Sequence, residues 1–229
     1  YCEELKPEKW VKYDEAGAVQ RRRSPRIVNR SNERSRRREM LRRELRGRPE
    51  TCRPDPEVIP DGEVHVYTDG SASIRRGQWG AGSGVWFGEK SDFNISAIPP
   101  GRQTNNRAEL TAIILAVRKA MTWPSEFNCL VVHSDSRLCV DGINSWMDLW
   151  EAEGWTRMGH PLENADLWRV MRRALSALKA ANIRLRVRYV PAHVGIYGNE
   201  MADRLAKAAV KRAHIAAART DEQRQGSRA

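Results

Sequence analysis

The chain has 229 residues, with 40 Lys or Arg against 29 Asp or Glu, for a net charge of +11. That length holds one sizeable core plus an extension, and no apolar run approaches the roughly 20 residues of a membrane span, so no membrane partner is expected. The four cysteines (Cys2, Cys52, Cys129, Cys139) lack CxxC spacing, which points away from a zinc framework and toward a reduced, intracellular setting, with nucleus and mitochondrion both left open.

Residues 1–20 carry one tryptophan and little pattern, and a start on Tyr1 rather than Met reads as a fragment or a processed chain without a secretory signal. Residues 21–53 hold 14 Arg and 4 Glu, which locates most of the positive charge in an arm. So few apolar groups cannot bury a core, and disorder is expected of the arm alone. Glu39 with Arg43 and the thin stripe Met40, Leu41 and Leu45 allow a helical turn on a partner. A nucleic-acid tether, a nuclear address and a solvated linker all fit this composition. Four prolines between Pro49 and Pro60 make a stiff linker.

A globular domain is expected over residues 61–218, with a disordered tail over 219–229. Val64 to Ser71 reads as a short strand ending on Asp69 and Gly70, where the chain would turn out of the sheet. Gln78–Gly88 and Phe93–Ile98 follow as strands, making an antiparallel meander with the first. Leu110, Ile113, Ile114 and Val117 recur at helical spacing within 107–120. A strand over 129–134 should lie parallel to the first through a right-handed crossover. Ser136–Ser145 reads as a helix capped at Ser134 or Ser136. Another amphipathic helix covers Asp166–Ala181, and Ile183–Tyr189 alternates apolar residues with Arg184, Arg186 and Arg188. Such an alternation suits a half-exposed edge strand or a nucleic-acid contact face. Met201–Ala218 is the closing helix.

Strands ending on acids with a helix between them are how an α/β sheet builds a site at its carboxyl edge. Asp69 and Asp135 sit at strand ends, Glu109 in the first turn of the helix after the meander, and Asp203 near the start of the last helix. Carboxylates brought together raise one another's pKa and need a cation. Oxygen ligands favour Mg²⁺, or Mn²⁺ in its place, and two such ions suit phosphodiester cleavage.

Five motifs occur in order: Thr-Asp-Gly-Ser at 68–71, Gly-Arg-Gln-Thr-Asn-Asn-Arg-Ala-Glu-Leu at 101–110, His-Ser-Asp-Ser at 133–136, His193-Val194-Gly195, and Gly-Asn-Glu-Met-Ala-Asp-Arg-Leu-Ala at 198–206. Together they resemble the type 1 ribonuclease H family, closest to the eukaryotic cellular enzyme, over about residues 62 to 213. The resemblance implies a ribonuclease H-like α/β fold: a five-stranded mixed sheet flanked by helices, with a protruding handle helix. It implies a monomeric, metal-dependent endoribonuclease that hydrolyses the RNA strand of RNA–DNA hybrids with two Mg²⁺ ions, leaving 5′-phosphate products.

It assigns Asp69, Glu109, Asp135 and Asp203 as metal ligands and places His193 on a loop beside them. Asn105 and Asn106 fall where the family reads the RNA strand. Arg102, Thr104 and Asn164 fall at the pocket for a DNA phosphate, and Trp146 where an aromatic packs against a DNA sugar. The sequence departs from the family twice. The arm lacks the aromatic pattern of a hybrid-binding domain. The handle, lysine-rich in relatives, has Arg157 as its sole Lys or Arg over 145–168, against Asp148, Glu151, Glu153, Glu163 and Asp166. Two alternatives stay open: a non-catalytic nucleic-acid-binding module, and a domain derived from a retroelement polyprotein.

Overall fold

The computed structural model describes residues 62–122 and 127–226 (the last six as backbone only), together with residues 12–13 and 19–20. Two units divide the chain, Tyr1–Leu41 and Arg42–Ala229. In the first, strands β1 (Lys12–Tyr13) and β2 (Val19–Gln20) pair antiparallel. The rest of the Arg-rich arm and the Pro-rich linker lie outside the described residues.

In the second unit, β3 (Glu63–Arg75) pairs antiparallel with β4 (Gln78–Trp86), which pairs antiparallel with β5 (Ile95–Ala97). On its other side β3 runs parallel to β6 (Cys129–Ser134), and β6 to β9 (Arg184–Tyr189). The sheet order is therefore β5-β4-β3-β6-β9, the five-stranded mixed sheet and opening meander that the sequence implied. The third strand is shorter than expected. The Asn94 side chain accepts from Phe87 N and donates to Gly88 O, both at 2.7 Å, satisfying groups a longer ladder would have used.

Helix α1 (Asn105–Ala120) buries Leu110, Ile113, Ile114 and Val117 against Val64, Val66, Leu130 and Val132, and the alternation of those strand residues puts them all on one sheet face. Thr104 caps it from an extended conformation, its Oγ1 accepting from Arg107 N at 3.4 Å. The helix after β6 is broken in character. It comprises α2 (Arg137–Asp141), a π turn (Gly142–Trp146) and α3 (Met147–Ala152). Both serines proposed as caps are used: Ser134 Oγ accepts from Ser136 N at 3.2 Å, and Ser136 Oγ accepts from Cys139 N at 3.4 Å. A short ribbon, β7 (Thr156–Arg157) with β8 (His160–Pro161), finishes the handle and leads to α4 (Ala165–Ala180). Cys129 and Cys139 are free, buried thiols, as expected of small core residues.

The closing helix α5 (Tyr197–Gly226) extends past Ala218 into residues expected as a tail. Its Ala202, Ala206 and Ala209 are fully buried. They meet β4 where its side chains vanish: a Cβ on Gly82 would fall 2.2 Å from Ala206 O, and one on Gly84 2.0 Å from Ala202 O. Alternate glycines thus let a helix backbone lie directly on a strand.

Candidate active site

Asp69 is not at a strand end. The parallel ladder between β3 and β6 stops at Thr68 and Ser134, while β3 continues for six residues beyond Asp69, paired to β4 alone. Asp69 and Asp135 are therefore neighbours, each one residue past the last parallel rung. The expected turn at Gly70 is absent because Gly70 serves another purpose. A Cβ there would sit 2.3 Å from Glu109 N and 2.8 Å from Ala108 C, so its bare backbone admits the first turns of α1. That contact delivers Glu109 to the two aspartates.

Carboxylate oxygens of Asp69, Glu109 and Asp135 all lie within 4.8 Å of one another. Asp69 and Glu109 are buried, and Glu109 Oε2 has no hydrogen-bond partner among the described residues. Burial first, then the carboxylates of Asp135 and Asp203, push Asp69 up to about 8. Burial, with Asp69 and Asp135 close by, holds Glu109 well above the usual carboxylate range. Asp135 is also raised, chiefly by burial, while the Asn199 hydrogen bond and nearby His193 act the other way. An orphaned buried oxygen inside a set of hard oxygen donors is what a divalent cation would satisfy, so the residues fit such a group.

The cluster opens into a cleft of about 480 Å³ whose walls include Asn105, Asn106, His193, Asp203, Arg137 and Lys207. Asp203 lines the cleft beside the three grouped acids, and its Oδ2 lies 2.6 Å from Lys207 Nζ one helical turn on. Asn105 and Asn106 are exposed first-turn residues of α1, not loop residues, and Asn105 Nδ2 donates to Glu109 Oε1 at 3.5 Å. His193 adopts a positive φ of 53° in the segment between β9 and α5.

Two of the other sequence-derived residues, Thr104 and Asn164, meet at one buried arginine that carried no role in the sequence. Arg107 donates through Nη1 to Asn164 Oδ1 at 3.1 Å, and through Nη1 and Nη2 to the two Asp166 oxygens at 2.9 and 2.5 Å. Its Nε donates to Pro100 O. With Thr104 bonded to its backbone N–H, Arg107 ties two of the three expected phosphate ligands, Thr104 and Asn164, to one centre. Arg102, the third, is exposed in the preceding loop. Trp146 ends the π turn 38% exposed, its ring 5.6 Å from that of Trp150.

Asn199 was also missed. It is 2% exposed and donates to Asp135 Oδ2 at 3.1 Å. Its place in the Gly-Asn-Glu motif four residues before Asp203 was the available signal.

The RNase H family matches residues 61–211. The chain belongs to the RNase H family. It is 37% identical to human Ribonuclease H1 over 150 residues, 65% of this chain and 50% of that protein. It is 38% identical to Ribonuclease H of Herminiimonas arsenicoxydans over 152 residues, 65% of this chain and 95% of that one. The chain thus spans about half the length of the human relative and nearly all of the bacterial one. Among solved structures, LC9-RNase H1 superposes with a TM-score of 0.53 at 29% identity, covering 68% of this chain and 75% of that chain. The cluster of Asp69, Glu109 and Asp135 thus lies inside the segment that carries the RNase H family match.

Proposed function

We propose that this RNase H-family chain is an endoribonuclease that hydrolyses the RNA strand of RNA–DNA hybrids by a two-metal mechanism. Asp69, Glu109 and Asp135, with Asp203 beside them, would hold the ions, Mg²⁺ or Mn²⁺. The observation that carries this reading is the orphaned Oε2 of buried Glu109 within a three-carboxylate group that lines an open cleft. When bound, the ions supply Lewis acidity and an activated water for phosphodiester cleavage.

The chain's own residues supply position and selectivity. Asn105 and Asn106, at the exposed start of α1, offer amide donors and acceptors to the 2′-hydroxyl that distinguishes RNA from DNA. The Thr104 hydroxyl accepts from Arg107 N and keeps its own proton to donate to a phosphate oxygen. Arg102 supplies charge there and Asn164 its amide, with Arg107 fixing the Asn164 side chain. Trp146 offers an exposed indole to a DNA sugar. His193, which lines the cleft, would hold or release a proton near the departing 3′-oxygen.

A purely binding descendant would gain nothing from retaining three mutually repelling carboxylates, which raise one another's pKa. The test is cleavage of an end-labelled hybrid with and without Mg²⁺, beside the matching RNA duplex and DNA duplex. Magnesium-dependent cutting of the RNA strand in the hybrid alone is expected. A protein that binds all three and cuts none would defeat the reading.

A further inference from the structure

Beyond Asp69, strands β3 and β4 leave the cleft as a two-stranded hairpin whose tip the proposed chemistry does not use. Ile74 and Trp79 face each other across it, 57% and 58% exposed. Two large apolar side chains presented together on a soluble surface mark a contact rather than a core. They are joined by Arg75, Arg76, Gly77 and Gln78, and those two arginines are the sole charged residues between Asp69 and Glu89.

The turn itself is unusual. Arg76 and Gly77 both have positive φ, 50° and 77°, the two-residue hairpin geometry that favours Asn-Gly. An arginine at its first position puts a cation at the apex where asparagine would fit the backbone better.

The tip is braced from both sides. On one face Ser73 Oγ lies 3.1 Å from His214 Nε2 of α5, and Gly80 backs onto the same imidazole. On the other, Ala81 N donates to Gln103 Oε1 at 3.0 Å, tying the hairpin to the loop that delivers Asn105 and Asn106. Ile74, Trp79 and Ala81 share the face that holds Gly70 against α1, by strand alternation and register. The apolar pair thus stands on the same sheet face as Gly70, a residue of the cleft wall four positions back along β3, on the side against which α1 packs.

Resting on the proposed function, we infer that this hairpin is a second grip on the hybrid. Trp79 and Ile74 pack against the sugar edges of the shallow minor groove, while Arg75 and Arg76 take the flanking phosphates. Ile74 lies five residues along the strand from Asp69, about 17 Å at strand rise. That span corresponds to roughly five nucleotides from the scissile phosphate. An A-like minor groove is wide and shallow enough to receive such side chains. The grip also meets a need specific to this chain, because its handle is acidic where relatives place lysines.

The test compares the full chain with Trp79→Ala and Arg76→Asn, the latter chosen because asparagine suits the turn. Binding to an 18-base-pair hybrid is measured without divalent cation, so that nothing is cut, and cleavage is measured separately with Mg²⁺. Trp79→Ala should weaken binding about five-fold or more. Arg76→Asn should lower the slope of log affinity against log salt by about one unit. Both should match the wild type on a hybrid of six base pairs centred on the cut, which is too short to reach the tip. Wild-type affinity and salt slope in both variants on the long hybrid, with unchanged melting temperatures, would overturn the inference and leave the patch to a protein partner. A wild type that binds hybrid tightly but never cuts it would instead defeat the enzyme assignment and leave the grip standing.

Discussion

Gly70 and Glu109 are in backbone contact, with the site of a Gly70 Cβ only 2.3 Å from Glu109 N. Strand and helix meet here without an intervening side chain, and the meeting places the most buried carboxylate of the cluster. Gly70→Ala therefore cannot be accommodated by a rotamer change, because the obstructing atoms are main chain. Overpacking of this kind costs about 1–3 kcal/mol or more. We expect a melting temperature lower by about 5–10 °C. Hybrid cleavage should fall by about two orders of magnitude, since displacing a reacting group by about 1 Å costs that much. Thermal unfolding and single-turnover cleavage check both, and wild-type cleavage in the variant would refute the contact's role.

Asp69→Asn isolates charge from shape. The folded-state pKa of Asp69 is raised from 3.8 to about 8, so the folded protein binds a proton that the unfolded chain releases across that window. The stability this contributes is full below pH 4 and is lost as pH rises through 8. Relative to the non-titrating asparagine variant, the metal-free wild type should lose stability between pH 5 and 8, by up to about 1.4 kcal/mol per pH unit. Mg²⁺ should restore wild-type stability at pH 8 and do little at pH 5. Urea unfolding of both proteins at the two pH values, with and without Mg²⁺, measures this. Cleavage by the variant should drop by about 10²–10³-fold.

The sequence carried the strand order and the helix between the parallel strands, because local alternation and helical spacing are enough to see them; of the four acids it singled out, the structure groups Asp69, Glu109 and Asp135 and sets Asp203 on the same cleft. It misplaced the end of β3. Asp-Gly-Ser reads locally as a turn, yet the strand runs on because β4 still pairs with it and α5 packs onto the glycines of β4. The packing of α5 on β4 joins residues more than a hundred positions apart, and no local window contains it. Arg107 and Asn199 were overlooked for the same reason. Arg107 was visible as part of a motif, but its partners Asn164 and Asp166 lie more than fifty residues away. The acidity of the handle was legible, whereas its partial neutralisation was not. Arg172 of α4 lies 2.5 Å from Asp148 Oδ1 and 2.9 Å from Glu151 Oε2.

Arg107→Lys keeps the charge and removes the fork that holds Asp166, Asn164 and Pro100 together. Asp166 is well exposed, so the ion pair itself adds little to stability. The loss of several charge-assisted hydrogen bonds at a buried arginine should cost about 1–3 kcal/mol. If Thr104 and Asn164 hold a phosphate, KM for hybrid should rise several-fold while kcat stays within about two-fold. An equal fall in kcat with unchanged KM would place Arg107 outside substrate binding.

Asn199→Ala removes the donor to Asp135 Oδ2 and leaves that carboxylate free to rotate. The Asn199 hydrogen bond also helps hold the pKa of Asp135 down, so its loss should raise that pKa further. Outer partners of metal ligands typically govern about 10–100-fold in metal affinity or activity. The Mg²⁺ concentration giving half-maximal cleavage should rise by about that factor, more at pH 6 than at pH 8, where the cluster is readier to ionise. A magnesium titration at the two pH values decides the matter, and an unshifted midpoint would assign Asn199 to packing alone.

The handle offers a gain of function. Glu153 and Leu149 are both exposed on or beside α3, in the acidic handle. Each unit of positive charge brought to a phosphate releases a counterion, steepening the salt dependence of binding by about one unit. Leu149→Lys with Glu153→Lys leaves Arg172 and its two acidic partners untouched, so the handle's own ion pairs persist. We expect hybrid affinity at low salt to rise about ten-fold and the salt slope to steepen by one to two units. The rate at saturating hybrid should be unchanged, because neither position lines the cleft. Tighter binding to hybrid and DNA duplex alike is also expected, since added lysines read phosphates and not bases. Affinity and slope equal to the wild type would show that the handle of this chain does not face the substrate at all.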